Sequence, residues 1–382
     1  MRGELLRGPP VPSHHERRGL GAGRRAGTRR GGRRGRDLVT PRTEVAVGTS
    51  AFVGSPLRIG TRASDLALTQ SGQVGEALVA GTEHTVELVH VSTSGDRDRI
   101  SPLAQIGGTG VFVTAVRQAL LDAEVDLVVH SCKDLPTEPL QEITLACYPP
   151  REDPRDALCA RDGLTLAELP RGAKVGTGSP RRAAQLLRAR PDLDVQGIRG
   201  NVETRLNRAL GAEADLDAVV LAASGLRRVG REAAISELLA VEVMLPAPAQ
   251  GALAVEATTA VLAEQPWFAQ RLTEVDDPAT RAAVTAERAL LRTLEAGCSA
   301  PVAAYGELEE ADGDEQGGVL RLRALAIRPD GSHAVEGEAR VALDLHADEL
   351  SGTESVPWAL GAELAADLLS RGAGEILEQA RA

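Results

Sequence analysis

Val129-His130-Ser131-Cys132-Lys133-Asp134-Leu135-Pro136 puts ionisable groups directly after a short apolar run. Such a run reads as a buried strand, and open α/β sheets carry their chemistry at the edge where strands end. Asp134 is the acid/base candidate: a carboxylate between apolar walls can shuttle a proton and stabilise a cationic intermediate. The same residue also reads as a loop aspartate that pairs Lys133 or caps a turn. His130 and Ser131 lack the third partner of a hydrolase triad within the visible pattern.

Arginines recur where apolar runs give way to helical pattern: Arg62, Arg181-Arg182, Arg199 with Arg205, and Arg227-Arg228. Helix starts expose unpaired N–H groups and a partial positive charge, so guanidinium forks there suit carboxylates or phosphates. In Gly176-Thr177-Gly178-Ser179-Pro180-Arg181-Arg182, Ser179 can cap a helix, Pro180 suits its first position, and glycine lets an anion approach the backbone. Adjacent arginines do not share one helical face, so one of Arg181 and Arg182 is expected to point elsewhere. Ile198-Arg199-Gly200-Asn201 repeats the design, with Asn201 as cap and Arg205 one turn into the helix. An ordinary capped helix with solvated arginines is the alternative at both junctions. Gly107-Gly108-Thr109-Gly110 opens a helix but lacks a P-loop lysine, and reads equally as a simple turn. Cys298 sits in a glycine turn past a long helix, accessible or, as is usual for cysteine, buried and inert.

The elements that must position these groups follow an α/β rhythm. Leu57 to Gly60, Thr85 to Val91 and Asp126 to Val129 read as strands between helices near Ser64 to Val79 and Val111 to Leu121. A second series runs through Ala157 to Ala160, Lys174 to Gly176, a helix from Ser179 to Arg190, Leu193 to Ile198, a helix from Asn201, and Ala218 to Ala222. Strand and helix in turn predict two domains with parallel sheets. Leu245-Pro246-Ala247-Pro248-Ala249-Gln250-Gly251 reads as a rigid crossing, after which Ala252 to Glu256 returns to the first domain. A long helix from Ala279 to Leu294, three alternating strands and a helix from Trp358 to Gln379 predict a small C-terminal α+β domain. The polar loop Glu309 to Gly318 is expected as an exposed hairpin connection. The expected division is residues 55–150 with 250–272, then 151–249, then 273–382, with residues 1–50 as a disordered Arg/Gly-rich extension.

At 382 residues, 43% hydrophobic and 25% charged, the chain has the make-up of a soluble protein of two or three domains. Lys133 and Lys174 are the only lysines against 41 arginines, a coding bias, so arginine abundance alone argues nothing. The first 50 residues hold 12 Arg against 4 acidic residues, a charge of +8; removing it from the total of −11 leaves −19 on residues 51–382. That acidity, with aromatics at 2%, argues against a nucleic-acid binder. The basic head reads foremost as an extension outside the functional protein, with a nucleic-acid tail or a transit peptide as alternatives. No apolar core of a secretory signal follows it, and no later stretch reaches the ~18 apolar residues of a membrane span. Cys132, Cys147, Cys159 and Cys298 show neither metal-ligand spacing nor a disulfide framework, so reduced thiols in the cytoplasm and no metal are expected.

Seven segments in order resemble the hydroxymethylbilane synthase (porphobilinogen deaminase) family over nearly all of residues 56–382. They are Arg58 to Ser64, Gly107 to Phe112, His130 to Pro136, Val175 to Arg182, Arg199 to Val202, Pro246 to Gly251 and Glu295 to Cys298. The resemblance implies two periplasmic-binding-protein-like α/β domains with the site in the cleft between them, plus a third domain carrying a dipyrromethane cofactor joined by thioether to Cys298. It implies a transferase of tetrapyrrole (haem) biosynthesis. Four porphobilinogen molecules would be polymerised with loss of ammonia onto that primer, followed by hydrolytic release of linear hydroxymethylbilane. Asp134 would assist ammonia loss and stabilise the cationic methylene-pyrrole. Arg62, Ser64, Lys133, Thr177, Ser179, Arg181, Arg182, Arg199, Arg205 and Arg228 would bind the acetate and propionate groups. Gln105, Gly108, Thr109 and Gln250 are possible cleft-loop contacts. Gln105 and Thr109 stand where many members carry lysines, and Gly178 and Pro180 replace the commoner serine and leucine. A monomer without nucleic-acid or membrane partners is expected. The rivals are a noncatalytic anion-binding protein, which has no use for Cys298, and a basic-tailed RNA binder.

Overall fold

The computed structural model describes residues 56–91, 110–297, 300–310, 317–346 and 349–381. The head, the loop holding Gln105, Gly108 and Thr109, the tip of the acidic hairpin, and Cys298 with Ser299 lie outside the described residues.

In the first domain β1 (Leu57–Thr61), α1 (Asp65–Val79), β2 (Val86–His90), α2 (Gly110–Leu121), β3 (Leu127–Ser131) and β4 (Ile143–Cys147) follow in turn. The chain then crosses to β5 (Asp156–Ala160), β6 (Lys174–Thr177), α3 (Pro180–Ala189), β7 (Asp194–Gly197), α4 (Val202–Leu210), β8 (Ala218–Ala222), α5 (Ala223–Arg228) and β9 (Glu237–Leu238). It returns through β10 (Leu253–Thr258), α6 (Thr259–Glu264) and α7 (Pro266–Val275).

The first sheet has the order β2-β1-β3-β10-β4 and the second β7-β6-β8-β5-β9. The two orders are the same pattern, as expected of paired periplasmic-binding-protein-like domains. Each sheet departs from the all-parallel expectation at one strand. β10 runs antiparallel to β3 and β4, and β5 runs antiparallel to β8 and β9. The cause is topological: these are the strands that begin or end a crossing, so they enter their sheet from the edge at which its other strands finish. The two crossings come close together where Gly251 adopts φ +90, and a Cβ there would collide with the Glu152 carbonyl oxygen.

Residues on both faces of each sheet are apolar, which is why the strands read as continuous hydrophobic runs. Ile59, Leu127 and Val255 are fully buried in the first sheet, as are Leu158, Val175 and Val220 in the second. Truncating any buried leucine here is expected to cost on the order of 2–5 kcal/mol.

The C-terminal domain packs α8 (Pro278–Thr293), α9 (Val356–Ser370) and α10 (Ala373–Arg381) against the antiparallel sheet β11 (Val302–Glu310), β12 (Gly317–Ile327) and β13 (Ala334–Asp344). The single helix expected from Trp358 to Gln379 is two. Gly372 takes φ +98 and its N–H caps the Leu369 carbonyl, ending α9 as a left-handed glycine does. Pairing of Glu310 with Gly318 agrees with the hairpin expectation up to the tip. Among the described residues no helix is long and apolar enough to cross a membrane.

Candidate active site

β3 ends at Ser131 and the chain makes one 3₁₀ turn, Cys132–Asp134, closed by Leu135 N–H donating to the Cys132 carbonyl at 3.1 Å. Cys132 and Leu135 anchor the turn in an apolar cluster with Tyr148, Ala249, Ala252 and Val284. From α8, Arg288 donates to the carbonyls of Leu135 (3.1 Å) and Pro136 (2.8 Å). The backbone beneath Asp134 is therefore fixed from two sides, while its carboxylate is exposed at the sheet edge.

Lys133 points the other way. Its Nζ donates to Gln250 Oε1 at 3.2 Å, and burial, followed by the repulsion of Arg182, lowers its pKa to about 8. Arg205, half-buried on α4, donates through Nε to the Gly200 carbonyl at 2.8 Å. Burial and the nearby Arg182 lower its pKa, and the charge of Asp134 opposes them, so Arg205 feels Asp134 from the second domain. Gly178 makes room for this arrangement: a Cβ there would collide with the Ile198 carbonyl and lie 4.0 Å from the Arg205 guanidinium.

Arg181 and Arg182 overturn the expectation that adjacent arginines diverge. Both are buried, and both reach Asp156, the first residue of β5, with ion-pair distances of 2.8 and 2.7 Å. Residues in the first turn of a helix differ by about 100° in direction, and two long side chains can curl from either side onto one carboxylate. Arg181 also donates to the Leu245 carbonyl (2.6 Å), and Arg182 to that of Val220 (3.2 Å). Burial alone would raise the Asp156 pKa, but the two guanidiniums outweigh it and hold the carboxyl at about 2. In this structure these arginines face an internal counter-ion.

Ser64 caps α1 by accepting from Ala67 N–H (3.4 Å), Ser179 caps α3 by accepting from Arg182 N–H (3.5 Å), and the buried Thr177 hydroxyl accepts from Ser179 N–H (3.2 Å). Arg62 follows β1 and Arg199 follows β7, both at the edges where parallel strands end; Arg62 is half-buried and Arg199 exposed. Arg228 donates to the Gly251 carbonyl (2.7 Å) and lines a cavity of about 450 Å³ with Gln73, Pro150, Glu152 and Leu253. Gln250 bonds both Lys133 and Arg182, and Arg205 feels the charges of Arg182 and Asp134, so these five residues are grouped, while Arg228, bonded to Gly251, lines that cavity.

Residue-level reading missed Asp156 and Glu256. The signal for each was a carboxylate inside an otherwise apolar strand, which requires a cationic partner. Glu256 supplies the partner His130 lacked: His130 Nε2 lies 3.0 Å from Glu256, which a 2.6 Å ion pair also joins to Arg117 on α2. His130 and Glu256 are buried, and the group they form with Arg117 holds α2 to the sheet.

The donor set fits a polyanion. Arg62 and Arg199 follow strand ends, Arg205 sits one turn into α4 and Lys133 adjoins the exposed Asp134, so cations from both sheet domains gather around one carboxylate. Fold and site define an α/β protein in which two sheet domains, followed by a C-terminal domain, bring several cations and one exposed carboxylate together. Residues 57–262 match the family model described as porphobilinogen deaminase, dipyromethane cofactor binding domain, and residues 281–370 match that of the porphobilinogen deaminase C-terminal domain. The porphobilinogen deaminase of Thermobifida fusca is 51% identical over 86% of this chain and 98% of that protein. Porphobilinogen deaminase 1 of Streptomyces coelicolor is 50% identical over 84% and 97%, and the Mycobacterium marinum protein 49% over 84% and 96%. The chain belongs to the porphobilinogen deaminase family, whose cofactor is dipyrromethane.

Proposed function

We propose that Asp134 is the acid/base group of a hydroxymethylbilane synthase, with Lys133, Arg205, Arg62 and Arg199 gripping the carboxylates of substrate and growing chain. The reaction is a transfer: the aminomethyl C–N bond of porphobilinogen breaks, ammonia leaves, and the freed methylene carbon bonds to a pyrrole carbon that gives up its proton. A carboxylate beside the reacting carbon stabilises the cationic methylene-pyrrole and moves those protons. Four additions and a hydrolysis give linear hydroxymethylbilane for tetrapyrrole biosynthesis. Cys298 would hold dipyrromethane through a thioether, and the bound group would supply the pyrrole carbon that starts the chain. Its acetate and propionate groups suit the same cations together with Thr177 and Ser179.

The observation that carries the reading is the exposed Asp134 on a turn locked from beneath, whose charge is felt by Arg205 of the second domain. Cys298 as attachment point is supported by the other thiols: burial raises Cys132 to about 11 and Cys147 and Cys159 to about 12, so none of the three presents a thiolate. The domain division proposed above is supported by sheet membership, since β10 joins β3 and β4 after the return crossing. A cytoplasmic monomer is the corresponding setting, to be tested by light scattering and cell fractionation.

Asp134→Asn is expected to lower turnover of porphobilinogen by about 10²-fold or more with the melting temperature unchanged, the scale of a lost acid/base group. Normal turnover would remove Asp134 from the role. Intact-mass measurement of the purified enzyme should show two pyrrole units lost on Cys298→Ser; active protein with an unmodified Cys298 would refute the attachment.

A further inference from the structure

Gln250 is fully buried on the return crossing, and its amide uses every hydrogen-bonding position it has. Nε2 donates to the Pro154 carbonyl and to Asp156 Oδ1, both at 2.8 Å; Oε1 accepts from Lys133 at 3.2 Å and Arg182 at 3.3 Å. The partners come from three places: the outgoing crossing, the second domain and the turn that carries Asp134. Asp156 and Pro154 fix the orientation of the amide, because a reversed amide would put N–H groups against the cations of Lys133 and Arg182. Asp134 adjoins Lys133 in a turn of three residues, so any shift of Lys133 is transmitted to it.

We propose that Gln250 is a positioning residue: it ties Lys133 to the Asp156 cluster across the hinge, and so sets the Asp134 turn according to how the two domains stand. Moving the two domains apart would strain the Lys133–Gln250 contact and shift Lys133 and its neighbour Asp134 on a turn that Cys132, Leu135 and Arg288 keep in place. The proposal rests on the role assigned to Asp134, but its central contact is independent of that role.

The charged groups facing Lys133 are Arg182, Arg181, Asp134 and Asp156. Two cations oppose two carboxylates there while burial disfavours the charge, so the hydrogen bond to Oε1 adds support to the ammonium. Gln250→Met keeps the chain length and removes that dipole; Gln250→Glu keeps an acceptor and adds a charge.

Lys133 and Lys174 are the only lysines in the chain, so holoenzyme labelled with ¹³C at lysine Cε gives two side-chain signals, assigned with Lys174→Arg. Relative to wild type, the Lys133 midpoint should fall by roughly half a unit or more in Gln250→Met and rise by about one unit in Gln250→Glu, the direction required by losing a dipole and gaining a charge. In Gln250→Met kcat should fall by about 10-fold or more, as lost orientation does, with KM within about two-fold. A midpoint unmoved in both variants, or an unchanged kcat in Gln250→Met, overturns the proposal. Should Gln250→Met fail to fold, the Lys133 midpoint in Gln250→Glu decides alone. Full activity of Asp134→Asn would defeat the functional reading above without touching the Gln250–Lys133 contact, so the two failures are distinguishable.

Discussion

Asp156→Asn isolates the contribution of one buried charge. The carboxylate is fully buried and held at about 2 from an ordinary 3.8, with two guanidiniums and the Gln250 amide around it. A depressed carboxyl contributes stability that is present above its unfolded pKa and lost as pH falls through the folded value. For Asp156 the window lies between about pH 4 and pH 2. The downward shift alone corresponds to roughly 2 kcal/mol at pH 7. Asparagine also strands Arg181 and Arg182 without their counter-ion, and removing one partner of a buried ion pair costs about 3–5 kcal/mol. At pH 7 the variant should therefore melt on the order of 5–10 °C below wild type. Circular dichroism melts from pH 7 to pH 2.5 would measure both effects. The gap between the proteins should narrow below pH 4, because wild type then loses what the variant never had. A melting temperature at pH 7 within about 1 °C of wild type, or a gap that widens in acid, would refute the argument.

Glu256→Gln should lower stability by about 3 kcal/mol, since Arg117 and His130 lose a buried partner whose own pKa burial would raise and they instead hold at about 2; urea unfolding measures it. Gly251→Ala should destabilise by about 1–3 kcal/mol because φ +90 and the Glu152 carbonyl both exclude a Cβ, and a neutral effect in the same assay would show that the crossings can part. A protein lacking residues 1–50 should keep its porphobilinogen turnover, and a large loss would give the basic head a part in the reaction.

The alternation of apolar runs and helical periods made both α/β domains and the return at Ala252 legible, because two-sided burial writes itself into a strand as an unbroken apolar run. The direction of β5 and β10 was not legible, since an antiparallel strand buried on both faces has the same composition as a parallel one. The caps Ser179 and Asn201 were readable because their hydrogen bonds are local, within three residues in sequence. Asp156 and Glu256 were not, because their partners are 26 and 139 residues away. Asp134 was visible through its place after a strand, whereas its exposure and the support from Arg288 belong to tertiary packing.

The pairing of Arg181 and Arg182 with Asp156 changes what an arginine-rich strand end does. Two cations on one carboxylate leave a net positive charge at the start of α3, beside the helix dipole, without either guanidinium having to reach into the cleft. Their attraction for an incoming carboxylate would then act through fixed geometry, and the direct contacts are proposed for Lys133 and Arg205. Burial, followed by repulsion from Arg182, lowers the Lys133 pKa to about 8, and ligand carboxylates brought beside it would raise that value and secure its charge. Binding and protonation of Lys133 would thus be coupled, with the growing anionic chain favouring the charged ammonium. Proton uptake on adding porphobilinogen at pH 8, measured in two buffers of different ionisation enthalpy, should be positive in wild type and absent in Lys133→Met. Equal proton uptake in both would place the coupling elsewhere.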